Sequence, residues 1–114
     1  VPHTVVEQAI RNSLCFGVFT DAGDQVGFAR VITDRATFAY LADVFVVEVH
    51  RGKGLSKKLM AHIQAHPDLQ GLRRMMLATR DAHGLYAACG FKPLANPDTF
   101  MEIWNPAVYR QPPL

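Results

Sequence analysis

The sequence predicts an α/β fold, built on one mixed, mostly antiparallel sheet with a central parallel pair and flanking helices. Three observations point to it. Two β-rich runs, Leu14–Thr20 and Gln25–Thr33, are joined by the turn-forming Asp21-Ala-Gly-Asp24, which makes an antiparallel hairpin. A third apolar run, Thr37–Val47, follows a second turn at Asp34-Arg35-Ala36. It leads through a glycine-containing loop into an amphipathic helix, Leu55–Ala65, and then into a fourth run, Arg73–Thr79. A strand reached through a crossover helix pairs in parallel with the strand before it.

Each element has a local reason. Thr4-Val-Val-Glu7 reads as a capping box opening a first helix, with Val6, Ala9 and Ile10 on one face and an end near Asn12–Ser13. The third run is apolar on both faces, so it belongs inside the sheet. Phe38, Tyr40, Ala42, Val44 and Val46 share one face; Ala39, Leu41, Phe45 and Val47 share the other. In the crossover helix Leu55, Leu59, Met60 and Ile63 point inward and Lys57 and Lys58 outward. Pro67 and Gly71 close it. Asp81–Cys89 reads as a short helix with Asp81 as N-cap and Gly90 as the C-terminal stop. Phe91–Leu94 and Thr99–Trp104 are expected as last strands, with Phe100, Trp104 and Tyr109 packed along them. The tail from Arg110 to Leu114 is expected to fray.

At 114 residues the chain is expected to be a single domain, 1–114. Its 49% hydrophobic and 19% charged residues exclude disorder. The longest apolar run, Phe38–Val47, is broken by Asp43, so no membrane span is expected. A net charge of +2 does not point to nucleic acid. Cys15 and Cys89 lack metal-site spacing and read as buried free thiols, which fits a reducing cytoplasm. His62 and His66 stand four apart on a helix, but no third ligand accompanies them, so no metal is expected. A helix C-terminus favours such histidines.

The informative stretch is Val44 to Ser56, where a buried strand runs into a loop with Gly52 and Gly54 and the loop opens a helix. The first amides of a helix have no internal partner and carry partial positive charge. Glycines let an anion approach, and Arg51, Lys53, Lys57 and Lys58 add cations, so the loop reads as a phosphate or pyrophosphate cradle. It is neither a Walker A loop, because Lys57 stands where the second glycine belongs, nor a dinucleotide fingerprint, whose third glycine is missing.

Arg51-Gly-Lys-Gly54-Leu-Ser56 resembles the acyl-CoA signature of the GCN5-related N-acetyltransferase (GNAT) family, [RQ]-x-x-G-x-[GA], with serine in the last place. Leu85-Tyr86-Ala-Ala-Cys-Gly90-Phe91 resembles that family's second landmark, a tyrosine shortly before Gly-Phe. Both stand in register over roughly Gln8 to Trp104. The resemblance implies a GNAT-like acyl-CoA N-acyltransferase fold and transfer from acetyl-CoA to a primary amine, on a small molecule or a peptide, by direct attack in a ternary complex. It implies that Arg51, Gly52, Lys53, Gly54, Leu55 and Ser56 hold the pyrophosphate through their amides. Phe45 and Val46, at the splayed end of the third strand, would pair with the pantetheine arm. Thr79 stands where many relatives place a cofactor-binding asparagine. Tyr86 would contact the cofactor and protonate the leaving thiolate, its ordinary pKa of about 10 being close to that of such a thiol.

The base is a separate matter. Some polyamine-acetylating relatives carry Tyr-Leu-Glu-Asp-Phe-Phe-Val on this strand; here Tyr40-Leu-Ala-Asp-Val-Phe-Val46 puts Ala42 in the glutamate's place. Asp43 remains as a base, or as a structural carboxylate paired with an arginine such as Arg30; Glu48 is a second candidate. His83 lies just before Tyr86, where it could face the acceptor. Relatives usually begin with a further strand that this chain, starting at Val1, is expected to lack. The strand from Leu14 would then be a sheet edge, which leaves room for a homodimer. Two alternatives to an enzyme are a non-catalytic module binding CoA or another phosphorylated ligand, and a small basic interaction protein.

Overall fold

The computed structural model describes residues 1–110. Its elements are α1 (His3–Arg11), β1 (Leu14–Phe19), β2 (Gln25–Thr33), β3 (Phe38–Val46), α2 (Leu55–Ala65), β4 (Arg74–Leu77) and α3 (His83–Ala88). Short 3-10 turns stand at Glu48–His50, Pro67–Leu69 and Pro97–Thr99. The sheet order is β1-β2-β3-β4, with β1–β2 and β2–β3 antiparallel and β3–β4 parallel. The predicted architecture is therefore the observed one through α3.

The core lies on the face of the sheet that carries α2. Leu59, Met60 and Ile63 pack on Ala29, Val31, Ala39, Leu41 and Leu69, flanked by Leu14, Phe16 and Val18 of β1, by Tyr86 of α3 and by Cys89 just after it. α3 is tied to α2 where Gln64 Nε2 donates to the Cys89 carbonyl at 2.9 Å. The opposite face is more open. There Phe28 and Phe45 pair across β2 and β3 with ring centroids 6.0 Å apart.

β3 does not keep one alternation. Ala39 and Leu41 are buried, then Val44 packs on the core and Val46 is buried, so the inward phase moves from odd to even positions. The ladder shows why: Phe28 faces Phe45 and Arg30 faces Ala42, so three steps on β3 match two on β2. That is a β-bulge, and Asp43 carries it at φ 53. The unbroken two-face pattern expected from the sequence is corrected at this residue.

Other departures are local. α1 starts one residue before Thr4, with the Pro2 carbonyl accepting from the Val5 and Val6 amides, so Thr4 lies inside the helix and forms no cap. Asp81 does not cap α3; Ala82 precedes it and its amide donates to Thr79 Oγ1 at 3.1 Å. β4 ends at Leu77 because its ladder with β3 ends there. Phe91–Leu94 and Thr99–Trp104 form no strands, and Trp104 is exposed. A strand requires a partner ladder, and β4 is an edge of the sheet among the described residues. The expected frayed tail falls, apart from Arg110, outside the described residues. Cys15 and Cys89 are free thiols, half-buried rather than buried.

Two outcomes test this packing. Ile63 is fully buried, so Ile63→Ala is expected to cost about 2–5 kcal/mol in urea unfolding. Asp34 accepts from the amides of Ala36, Thr37 and Phe38 and from the Thr37 hydroxyl, which holds its carboxyl well below the usual carboxylate range. A depressed folded pKa stabilises above the unfolded value near 4 and loses that stabilisation as pH falls below it. Asp34→Ala is therefore expected to lower Tm at pH 7 and to flatten the fall of Tm between pH 5 and acid.

Candidate active site

β3 and β4 pair only as far as Leu41 and Leu77. Beyond that point β3 runs on to Val46 without β4 beside it, so the two parallel strands part like a V. In the β2–β3 ladder the Val47 amide donates to the Val26 carbonyl at 2.8 Å. Strand alternation then turns the polar backbone groups of Phe45 toward β2 and those of Val46 away from it, into the parting. The amide and carbonyl of Val46 thus face the parting, whereas those of Phe45 are directed into the sheet. Val44 shares the direction of Val46, and the sequence alone could not show it because the bulge sets that phase.

The carbonyl of Val46 already has a partner: Arg51 Nε donates to it at 2.9 Å. Arg51 thereby ties the end of β3 to the glycine loop. The loop turns through Gly52 and Gly54, at φ 79 and 74, and a Cβ at either would meet nothing within 4 Å. Gly54 is the N-cap of α2 and supplies no side-chain cap, so the first amides of the helix, at Leu55, Ser56 and Lys57, face outward without an internal partner. Among the described residues the amides of Gly52, Lys53 and Gly54 donate to no protein group. Lys53 Nζ lies 3.4 Å from His50 Nδ1, and Lys57 is exposed. Lys58 departs from the expected cluster and lines a different groove, between β1 and α2. A row of open amides with cations at its rim fits a pyrophosphate.

The second landmark is a helix end. The Phe91 amide donates to the Tyr86 carbonyl at 3.0 Å and the Gly90 amide to the Ala87 carbonyl at 3.0 Å, with Gly90 at φ 99. This is a Schellman motif. Its usual apolar contact is the Tyr86–Phe91 pair, edge to face at 5.8 Å. The spacing Tyr86-x-x-x-Gly90-Phe91 is thus one structural unit that aims Tyr86. The ring is half-buried, and burial pushes its phenol up from 10, with Cys89 adding to the shift. Tyr86, Thr79 and His83 line one cavity of about 720 Å³ beside β4.

Asp43 is at the bulge, and its Oδ2 accepts from Arg30 Nε at 2.8 Å. Arg30 Nη1 reaches the Ser13 hydroxyl at 3.1 Å, which links the bulge to the end of α1. The Asp43 side chain is 61% exposed, so it is a partnered surface carboxylate and not one isolated in an apolar strand. Glu48 is exposed beside the loop. His66 Nδ1 accepts from the Asp68 amide at 3.0 Å, and its ring packs edge-on to Phe16. Among the described residues no group of three or more His, Cys, Asp or Glu could hold a metal.

The bulge can be tested by conformation alone. Asp tolerates positive φ better than a β-branched residue does. Asp43→Val is expected to be less stable than Asp43→Gly by about 1–2 kcal/mol in denaturant unfolding. Gly90→Ala is expected to cost about 1 kcal/mol.

Comparison with known proteins gives this geometry a family. Residues 11–93 match the family described as the acetyltransferase (GNAT) domain. A crystal structure of a GNAT-family acetyltransferase from Xanthomonas campestris is 59% identical, with a TM-score of 0.91, covering 97% of this chain and 78% of that one. A protein of Gibberella zeae, named as an acetyltransferase, is 32% identical over 106 aligned residues that cover 75% of this chain. The match spans 59% of the length of that relative. A GNAT-family structure from Streptococcus pneumoniae shares the fold at 23% identity and a TM-score of 0.75, covering 91% of this chain and 80% of that one. With both landmarks in register on this fold, the chain belongs to the GNAT family of acetyltransferases.

Proposed function

We propose that the chain takes acetyl-CoA as its donor and transfers the acetyl group to a primary amine by direct attack within a ternary complex. The observation that carries this reading is the meeting of the parted β3 edge with the open amides at the start of α2. The amides of residues 52–56 hold the pyrophosphate, the expected Arg51 amide being engaged instead with the Glu48 carbonyl at 3.1 Å, and the backbone of Val46 receives the pantetheine arm once Arg51 Nε yields its carbonyl. Phe45 contributes its exposed ring at the rim, and Thr79 its hydroxyl on the far wall.

The chemistry follows from the groups present. The amine nitrogen attacks the acyl carbon, the C–S bond breaks, and the thiolate takes the proton of Tyr86, which water replaces. A phenol whose pKa is raised above 10 is fully protonated at neutral pH, the state a proton donor must hold. The amine's proton leaves to Asp43 through water; the Arg30 contact engages Oδ2 and leaves the other oxygen to solvent. The acceptor is a small-molecule or peptide amine.

Three outcomes test the proposal. Acetyl-CoA at about 100 times its Kd is expected to stabilise the fold by roughly 2.7 kcal/mol, a rise of several degrees in Tm. ATP or NAD should give no comparable shift, and Gly54→Val should abolish the shift. Tyr86→Phe is expected to lower kcat by about 10²–10⁴ with CoA affinity kept; unchanged turnover removes Tyr86 as the acid. Asp43→Asn keeps the bulge and is expected to lower kcat with CoA affinity kept; unchanged turnover assigns the amine's proton to water alone.

A further inference from the structure

The end of β3 leaves one backbone group in need of a partner. Val46 is buried, at 6% exposure, and the ladder with β4 has already ended at Leu77, so no strand meets the Val46 carbonyl on the side of the parting. A buried carbonyl requires a donor. Arg51 supplies it: its Nε–H donates at 2.9 Å and stands where the amide of a neighbouring strand would. Among the described residues no other side chain of the loop hydrogen-bonds to β3. Lys53 leans on His50, and Lys58 lines another groove.

The contact is a plug as well as a tie. An extended arm pairs with the end of β3 only by taking over the Val46 carbonyl, which the amides of a pantetheine arm need as the amides of an added strand do. The arm must then displace Nε, and the guanidinium must find another acceptor. Its other N–H groups are uncommitted among the described residues, where the ion pairs join Arg30 to Asp43 and Arg35 to Asp68. Immediately after Arg51 come the open amides of Gly52, Lys53 and Gly54. An anion held by them lies within a side chain's length of the guanidinium. Arginine and phosphate pair through two parallel N–H···O bonds with charge on both sides, against a single bond to a neutral carbonyl. The guanidinium therefore leaves Val46 for the phosphate.

We propose that Arg51 is a specificity-determining residue, a latch that selects thioesters carrying a pyrophosphate. Resting on the Val46 carbonyl, it shuts the β3 edge to a bare pantetheine thioester. A pyrophosphate in the loop draws it off and opens the edge for the arm that follows. The inference rests on the acetyl-CoA reading above and adds to it a coupling between two parts of one ligand's site. Such coupling is reciprocal, so the two parts should also help each other as separate molecules.

Calorimetric titration of the full chain tests it, with acetyl-CoA, S-acetylpantetheine and inorganic pyrophosphate as probes at matched ionic strength. In the wild type, saturating pyrophosphate is expected to tighten S-acetylpantetheine by about 5-fold or more, the low end of ordinary coupling between sites. In Arg51→Ala the same thioester is expected to bind tighter than it does to the wild type, with no further gain from pyrophosphate, while acetyl-CoA binds no tighter. A merely structural Arg51 predicts the opposite, because damage to the loop weakens every probe. The wild-type comparison needs no variant, so it decides even where Arg51→Ala unfolds. If acetyl-CoA binds the wild type and S-acetylpantetheine is indifferent to pyrophosphate, the latch is overturned and the donor reading stands. Tightening by pyrophosphate that persists in Arg51→Ala overturns the role of Arg51. A wild type that binds no acetyl-CoA overturns both readings.

Discussion

The parting of β3 from β4 depends on what happens to β3 at Asp43. Up to Leu41 the strand is held on both sides and its odd residues enter the core. At Asp43 one residue is added, the inward phase changes, and Val44 and Val46 take over the packing. A bulge bends and twists the strand that carries it. β4 meanwhile stops at Leu77 and its chain turns toward α3, so the two strands separate where the bulge begins. Arg30, reaching both Asp43 and Ser13, fixes the bulge to the end of α1. The unpaired backbone on the β4 side of β3 is therefore a built feature.

Two helix ends complete the site, and both are solutions to the same physical problem. An α-helix leaves amides unpaired at its start and carbonyls unpaired at its end. At α2 the start is left open: Gly54 contributes no cap, and the first amides stay free, an arrangement that favours negative charge beside them. At α3 the end is closed by Gly90 in a left-handed conformation, and the closure sets Tyr86 against Phe91. One landmark of the family is thus an uncapped N-terminus and the other a capped C-terminus. The side chains that matter most are those the backbone arrangement aims.

Much of this was legible in the residues. The bounds of α2, the hairpin, the parallel return and the stop at Gly90 follow from periodicity and turn chemistry, which are local. The glycine loop was legible because a backbone turn at positive φ has a compositional mark. The phase change at Asp43 was not, since aspartate in an apolar run reads equally as a buried base or an ion-paired surface residue; only the ladder and Arg30 decide that it is partnered. The direction of the Phe45 and Val46 amides depends on the same ladder. Asp81 and Thr4 resemble caps, but each helix begins beside, not at, the cap-forming residue. The strands expected at Phe91–Leu94 and Thr99–Trp104 have β-forming residues, but among the described residues neither pairs with the open edge of β4, so neither forms a ladder. Propensity describes a segment, whereas a strand is a property of two.

If the backbone at the end of β3 and at the start of α2 forms one binding surface for acetyl-CoA, as proposed, the amides of both respond to the ligand together. Titration of the isotope-labelled chain with acetyl-CoA, followed by amide nuclear magnetic resonance, tests it residue by residue. The amides of Val46 and of Gly52 to Ser56 are expected to shift together, with the same apparent affinity. Shifts confined to the groove between β1 and α2, around Phe16, Lys58 and His62, would contradict it, as would a loop that stays unmoved at saturation.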